Sequence, residues 1–167
     1  MSGAPWRTWR HLPEGHAAVA LGSNLGDRRG QLEDAVERLG GHAGVEVLAV
    51  SRLHRTAPEG GPPGQGEFLN GALLLRTSLT PELLLALLHR IEDLHGRERV
   101  VLDGPRTLDL DLLLHGEERR TGPELELPHP RMAERSFVLA PLAELCPELM
   151  LGGASVAERL ADLGVVG

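Results

Sequence analysis

An α+β fold, an antiparallel sheet with helices packed on one face, is what this sequence predicts, and three observations carry the prediction. His16–Leu21, Val45–Leu53, Phe68–Arg76 and Thr107–Leu114 have the length and apolar patterning of strands. Two stretches of helical periodicity separate the first strand from the second and the third from the fourth. The resulting order, β-α-β-β-α-β, is that of the ferredoxin-like sandwich.

Each element has its own reason. Residues 1–15 mix Pro, Gly, Trp and Arg without periodicity and are expected to be a loose extension to a single domain over 16–167. His16 to Leu21 reads as a short buried strand, and Gly22-Ser-Asn-Leu-Gly26 as a turn. Asp27 is an N-cap for a helix to about Leu39, with Leu32, Ala35, Val36 and Leu39 on one face; Gly40-Gly41 ends it. Val45 to Leu53 is the second strand. Ala57 to Gly66 holds too much Gly and Pro for regular structure and forms a long loop. Phe68 to Arg76 is the third strand. Thr80, followed by Pro81, caps a helix that runs to about His95 and stops at Gly96. Arg97 to Pro105 is a second loop, Thr107 to Leu114 the fourth strand, Glu117 to Leu127 a short hairpin and Pro128 to Arg135 irregular. Phe137 to Leu145 leads to a last small helix near Ser155–Leu163.

Composition narrows the function classes. The 167 residues are 41% hydrophobic, enough for one domain with a real core. The longest apolar run, Leu83 to Leu88, is far short of the roughly 20 residues that span a bilayer. With one cysteine there is no internal disulfide framework, and a cytoplasmic, soluble protein is expected, without membrane partners and as a monomer. A net charge of −7 argues against nucleic-acid binding. All 17 basic residues are Arg, so chemistry that needs a lysine is excluded while bidentate phosphate grip is not. With two Phe, two Trp and no Tyr, the core must be aliphatic and each Phe needs its own explanation.

The segment Thr107-Leu-Asp-Leu-Asp-Leu-Leu-Leu114 holds the densest chemistry. Alternation sends Leu108, Leu110, Leu112 and Leu114 to one face, and Thr107, Asp109 and Asp111 to the other. The two aspartates are then about 6.5–7 Å apart at Cα. Carboxylates so placed repel each other unless a cation joins them, and oxygen donors in a pair suit Mg²⁺, which shares its shell with water and phosphates. A solvated polar strand face would have the same pattern; Gly104-Pro-Arg106 beside it adds a phosphate-binding fork.

Gly104-Pro-Arg-Thr-Leu-Asp-Leu-Asp111 resembles the signature of the 6-hydroxymethyl-7,8-dihydropterin pyrophosphokinase family. Ala20–Gly26, Phe68-Leu-Asn70, and Leu127–Phe137 followed by Val-Leu-Ala-Pro-Leu142 agree with that family in order and spacing, so the resemblance spans about residues 16 to 150. It implies the ferredoxin-like fold and pyrophosphate transfer from ATP to the hydroxymethyl group of the dihydropterin, with AMP as the other product, in folate biosynthesis. By motif position it implies two Mg²⁺ on Asp109 and Asp111, with Arg97 and Arg106 neutralising charge as the β-phosphorus is attacked. It puts His89, Glu92, Arg97, Arg99, Arg106, Leu112, His129 and Arg135 on the ATP side. Thr56, Pro58, Phe68, Asn70 and Phe137 fall on the pterin side, the two Phe sandwiching the ring and Asn70 bonding its edge. Relatives often carry Lys and Trp in the loop before the signature; Arg97–Asp103 has neither, and Arg99 stands in for part of that charge.

Three other functions compete. Aspartate-nucleophile phosphohydrolases also use an Asp-x-Asp strand, but rely on a lysine that is absent here. An RNA-recognition module needs aromatic strands and basic surroundings, and the charge is wrong. A non-catalytic ferredoxin-like sensor of nucleotide or pterin would differ only in releasing no AMP. Of the remaining side chains, His54, His95 and His115 show no ligand spacing and read as structural or surface residues, and Cys146 as a small apolar one.

Overall fold

Alternating side chains need two covers when both faces of a strand are apolar, and the two central strands of this protein are apolar on both. The structure, a computed structural model, describes residues 4–57, 67–96 and 108–164. Its elements are β1 (His16–Ser23), α1 (Arg28–Gly40), β2 (Val45–Val50), β3 (His54–Thr56), β4 (Phe68–Thr77), α2 (Pro81–Leu94) and β5 (Asp109–His115). After these come the hairpin β6 (Arg120–Thr121) and β7 (Glu126–Leu127), α3 (Ser136–Leu145), a second small hairpin β8 (Met150–Leu151) and β9 (Ala154–Ser155), and α4 (Val156–Asp162). The main sheet has the order β2-β4-β1-β5, with β3 also paired to β4, and every pairing is antiparallel. This is the ferredoxin-like arrangement expected from the element order.

Helix boundaries follow local chemistry. The Asp27 carboxylate accepts from the Gly30 N–H and Thr80 Oγ1 from the Leu83 N–H, each satisfying a donor that the first helical turn leaves unpaired. In α4, Ser155 and Glu158 form a reciprocal capping box. The apolar stripes of α1 (Leu32, Ala35, Leu39) and α2 (Leu84, Leu87, Leu88, Ile91) pack on Ala17, Val19, Leu21, Leu73, Leu75, Leu110 and Leu112.

Four expectations need correction. First, helices cover both faces of the sheet. Ala18, Ala20, Ala72, Leu74, Leu113 and Leu114 form a second core with Val138, Leu139, Leu142 and Leu145 of α3 and Val156 and Leu160 of α4. Second, Leu114 does not share a face with Leu108, Leu110 and Leu112. The register passes from Ala18↔Leu114 to Val19↔Leu112, so Leu113 is an inserted residue and the alternation is reset. Third, Val45–Leu53 is not one strand. β2 ends at Val50; Ser51 then bonds to β4 through both backbone and hydroxyl, Oγ accepting from the Ala72 N–H at 2.9 Å, and the chain re-enters the sheet as β3. Fourth, residues 4–15 are packed rather than loose. Pro5–Thr8 form a turn of 3₁₀ helix, Leu12 is buried, Trp6 and Trp9 lie on the second core, and the Trp9 ring meets His16 edge-on at 5.1 Å. Among the described residues no helix is long and apolar enough to cross a membrane.

Candidate active site

The pairing register places the chemistry-bearing residues in rows across the face that carries α3. Leu108, Leu110 and Leu112 belong to the α1/α2 core, so Asp109 and Asp111, half-buried, project to the α3 side. On β4, Leu69, Leu73 and Leu75 face α1 and α2, whereas Ala72 and Leu74 face α3; Phe68 and Asn70 share the latter face. One row therefore reads His54–Asn70–Gly22–Asp109 across four strands, and the next carries Ala72, Ala20 and Asp111. Thr56 and Phe68 sit opposite each other one row outward.

Gly22 is the position in this row where a side chain would displace its neighbour. A Cβ there would lie 2.7 Å from Asn70 Oδ1, so the amide occupies the space a larger residue would need. The Asn70 Nδ2 donates to Thr56 Oγ1. The bond fixes the amide's orientation, with Oδ1 leaning over Gly22.

α3 crosses this face. Its N-terminal end follows Arg135, and the His129 loop is tied to β5 by a bond from the His129 N–H to the Leu113 carbonyl at 2.9 Å. Its C-terminal end reaches β3 through Glu144. Its backbone lies closest to β4, and its C-terminal end stands beside β3. Phe137, in the first turn, is half-buried on the second core, and the Arg135 guanidinium stands 5.5 Å from its ring centre. The Arg135 Nε is buried without a hydrogen-bond partner among the described residues, an unusual state for a guanidinium and one that an anion would relieve.

His129 is set up as a neutral donor. Burial, and after it the nearby Arg135 charge, lower the ring's pKa, with Asp109 opposing. Its Nδ1 accepts from the Arg131 N–H at 3.3 Å, so the neutral ring carries its proton on Nε2. Among the described residues no group of three or more His, Cys, Asp or Glu could hold a metal alone. The pair Asp109 and Asp111, half-buried on one strand face, supplies carboxylate oxygens of the kind Mg²⁺ takes when it shares its shell with water and phosphate.

Several expected site residues reach the site differently or fall elsewhere. Glu92 is fully buried, and its Oε2 accepts from the Leu110 N–H at 2.8 Å, so it meets the site through the backbone of β5. The Leu112 side chain is in the α1/α2 core, which leaves only its backbone to the α3 side. His89 is half-buried on α2, three residues before Glu92. Pro58, Arg97, Arg99 and Arg106, and with them nearly all of the two long loops, lie outside the described residues. Sequence reading gave no site role to His54 or to Glu144. For His54 a signal existed: it stands two residues before Thr56 and so shares its face. Nothing in the sequence pairs residue 144 with residue 54.

Comparison with known proteins gives the family and the fold. Residues 18–147 match the model of the 7,8-dihydro-6-hydroxymethylpterin-pyrophosphokinase (HPPK) family. The 2-amino-4-hydroxy-6-hydroxymethyldihydropteridine pyrophosphokinase of Bacillus subtilis is 50% identical over 133 residues, covering 80% of this chain and 79% of its own. That of Pseudomonas aeruginosa is 47% identical over 147 residues, covering 86% and 88%. Among solved structures, an HPPK-DHPS in complex with substrates superposes with a TM-score of 0.67 at 12% identity, over 90% of this chain. Plasmodium falciparum HPPK-DHPS does so with 0.66 at 12% identity, over 88%. The chain spans less than half of those two structures, 43% of each, and at such identity they speak to the fold alone. With a family model covering most of its length and relatives at half identity, the chain belongs to the 7,8-dihydro-6-hydroxymethylpterin-pyrophosphokinase family.

Proposed function

We propose that the protein transfers pyrophosphate from ATP to the hydroxymethyl group of 6-hydroxymethyl-7,8-dihydropterin, releasing AMP, and that it uses two Mg²⁺ ions to do so. The observation that carries the reading is the row Asn70–Gly22–Asp109: a polar amide and a carboxylate on one sheet face, two strand spacings apart, with a glycine gap between them. That gap is the width of a flat heterocycle's edge, about 9–10 Å between the flanking Cα atoms.

In this reading Phe68 and Phe137 hold the pterin ring by offset stacking, which aliphatic side chains do poorly. Asn70 Oδ1 accepts from the pterin N–H edge, with the amide oriented by its bond to Thr56. The hydroxymethyl oxygen then points along the row toward Asp109. The reaction forms a bond from that oxygen to the β-phosphorus and breaks the bond from the β-phosphorus to the α-bridging oxygen, which leaves with AMP; the hydroxyl proton is lost. Asp109 and Asp111 would hold the Mg²⁺ ions, which supply charge neutralisation on the triphosphate oxygens when bound. His129 donates from Nε2 to a phosphate oxygen, and the Arg135 guanidinium finds there the acceptor its buried Nε lacks. Arg97 and Arg106 take up developing charge, by their place in the motif. Because transfer proceeds through a loose transition state, positioning and charge account for most of the acceleration.

The test is direct. Purified protein, ATP, Mg²⁺ and the hydroxymethyl dihydropterin should yield AMP and the pterin pyrophosphate in equal amounts. Asp109→Asn and Asp111→Asn should each lower that rate on the order of a thousandfold while the circular dichroism spectrum is unchanged. Near-normal AMP release by either variant would remove the metal assignment. Binding of both substrates without AMP would make the protein a sensor.

A further inference from the structure

β3 is three residues long and pairs with β4 alone, yet it carries one wall of the proposed pterin slot. Thr56 takes the Asn70 amide proton, and Phe68 is its register partner. A strand so short is weakly held by its own ladder, so something else must fix it. Ser51 anchors its approach to β4 and Thr56 bonds Asn70, and the tie from outside the sheet is the carboxylate of Glu144 near the C-terminal end of α3. Glu144 Oε1 accepts from the Arg52 N–H at 2.9 Å, and Oε2 meets His54 Nε2, with the Arg52 guanidinium 3.5 Å away. Both oxygens are thus committed to the approach and first residue of β3. The Glu144 carbonyl in turn accepts from Arg7 Nη1, which joins the N-terminal segment to the same corner. The pair is sheltered, with side-chain exposures of 27% for His54 and 23% for Glu144, so its geometry is not averaged away by solvent as an exposed pair's would be.

The placement gives the tie a consequence. α3 presents Phe137 at one end and Glu144 at the other, and His54 lies in the same row as Asn70. Fixing Glu144 to β3 therefore sets the distance between the sheet wall that holds Thr56, Asn70 and Phe68 and the helix that holds Phe137. We infer that Glu144, acting through the Arg52 backbone and the His54 ring, is a positioning residue that sets the width of the pterin slot. It touches neither substrate, and Asp109 and Asp111 stand at the opposite end of their rows, on a strand that Glu144 does not bond. This inference rests on the pterin reading of Phe68, Asn70 and Phe137 proposed above.

The experiment compares steady-state constants for Glu144→Ala, Glu144→Gln, His54→Phe and Asn70→Ala, with thermal unfolding measured alongside. Glu144→Ala should raise KM for the hydroxymethyl dihydropterin about tenfold, with KM for ATP and kcat within about twofold. Glu144→Gln, which keeps an oxygen for the Arg52 N–H, should recover most of that loss. His54→Phe should raise the pterin KM about threefold, and it decides the matter should Glu144→Ala fail to fold. A merely structural role would lower the unfolding temperature without separating the two substrates, and equal changes in both KM values, or none, would overturn the inference. Asn70→Ala distinguishes the two levels. A pterin KM raised by Asn70→Ala but untouched by Glu144→Ala sinks the positioning role alone, and one untouched by Asn70→Ala sinks the pterin reading with it.

Discussion

Replacing Glu92 with leucine should destabilise the protein and loosen the strand that carries both aspartates. The Glu92 carboxylate is 0% exposed and accepts from the Leu110 N–H at 2.8 Å. Leu110 lies between Asp109 and Asp111 on β5, whose outer edge has no strand neighbour in the described sheet. Two effects compete. Removing a buried carboxylate relieves its desolvation, and apolar replacement of buried charges is sometimes neutral or stabilising. That outcome requires both partners to be replaced, and here one partner is a backbone N–H that no substitution at position 92 removes. The orphaned donor then costs about 1–3 kcal/mol, and a domain of this size loses about 2–4 °C of Tm per kcal/mol. The Leu variant should therefore melt several degrees lower. Glu92→Gln, whose amide oxygen still accepts, should lose less than half as much. The residue-specific readout is amide hydrogen exchange at Leu110, which should accelerate in the Leu variant and stay close to wild type in the Gln variant. Activity should fall further than stability, because β5 sets the separation of the carboxylates. A Leu variant with wild-type Tm and an equally protected Leu110 amide would show that Glu92 does not hold this strand.

Three other outcomes follow from the same geometry. Gly22→Ala puts a methyl group 2.7 Å from Asn70 Oδ1; the amide can swing away only by giving up Thr56, so the fold should lose about 1 kcal/mol while the pterin KM rises roughly tenfold. Parallel melts and kinetics check this, and an unchanged pterin KM would refute it. The Cys146 thiol, fully buried, has its pKa pushed up to about 12 by burial, with Arg7 opposing. A disulfide reagent at mildly alkaline pH should find no thiol in the folded protein and one after unfolding, and rapid reaction of the native protein would contradict the burial. Partial burial disfavours charge on Glu144, yet the Arg52 N–H and the His54 ring together hold its carboxyl below the usual value of 4.5. A depressed folded pKa adds stability that is complete above the unfolded value and is lost as pH falls through the folded one. The Tm gap between wild type and Glu144→Gln should thus be present at neutral pH and close on acidification below about 4.5; a gap that widens in acid would reverse the assignment.

Much of this was legible in the residues. Leu32, Ala35 and Leu39 recur at helical spacing and are all buried; Asp27 and Thr80 cap as their chemistry demands. The Asp-Leu-Asp alternation gave the faces of β5 correctly as far as Leu112. It failed at Leu113 because three successive leucines satisfy either face, and only the partner strand decides where the extra residue bulges. The second helical layer had a signal too: Ala72-Leu-Leu-Leu75 is apolar without alternation, the mark of a strand covered on both faces. Glu92 also announced itself, standing four residues after Leu88 on the apolar stripe of α2, where an acid must find a buried donor. What the sequence could not supply was the tertiary partner in each case: Leu110 for Glu92, Glu144 for His54, and the second core for Trp6 and Trp9.

The position of the site on the sheet has a simple steric cause. Down the α3 face of β1 run Ala18, Ala20 and Gly22, each flanked by a residue on β4 and one on β5. Where β1 offers alanine, α3 settles onto the sheet through Leu139 and Leu142, both fully buried, and the second core closes. Ala20 already has Asp111 on its β5 side; at Gly22 the side chain vanishes and both flanking residues are polar, Asn70 on one side and Asp109 on the other. A helix cannot descend there without burying an amide and a carboxylate against apolar side chains, which would cost several kcal/mol. The same face thus carries core and site, and the residues that flank β1 on β4 and β5 set where one gives way to the other. Enlarging Gly22 crowds Asn70 Oδ1, whereas making Asn70 and Asp109 apolar would invite the core to extend across this row. On this view the edge of the second core is set by the polarity of Asn70 and Asp109 as much as by the missing side chain.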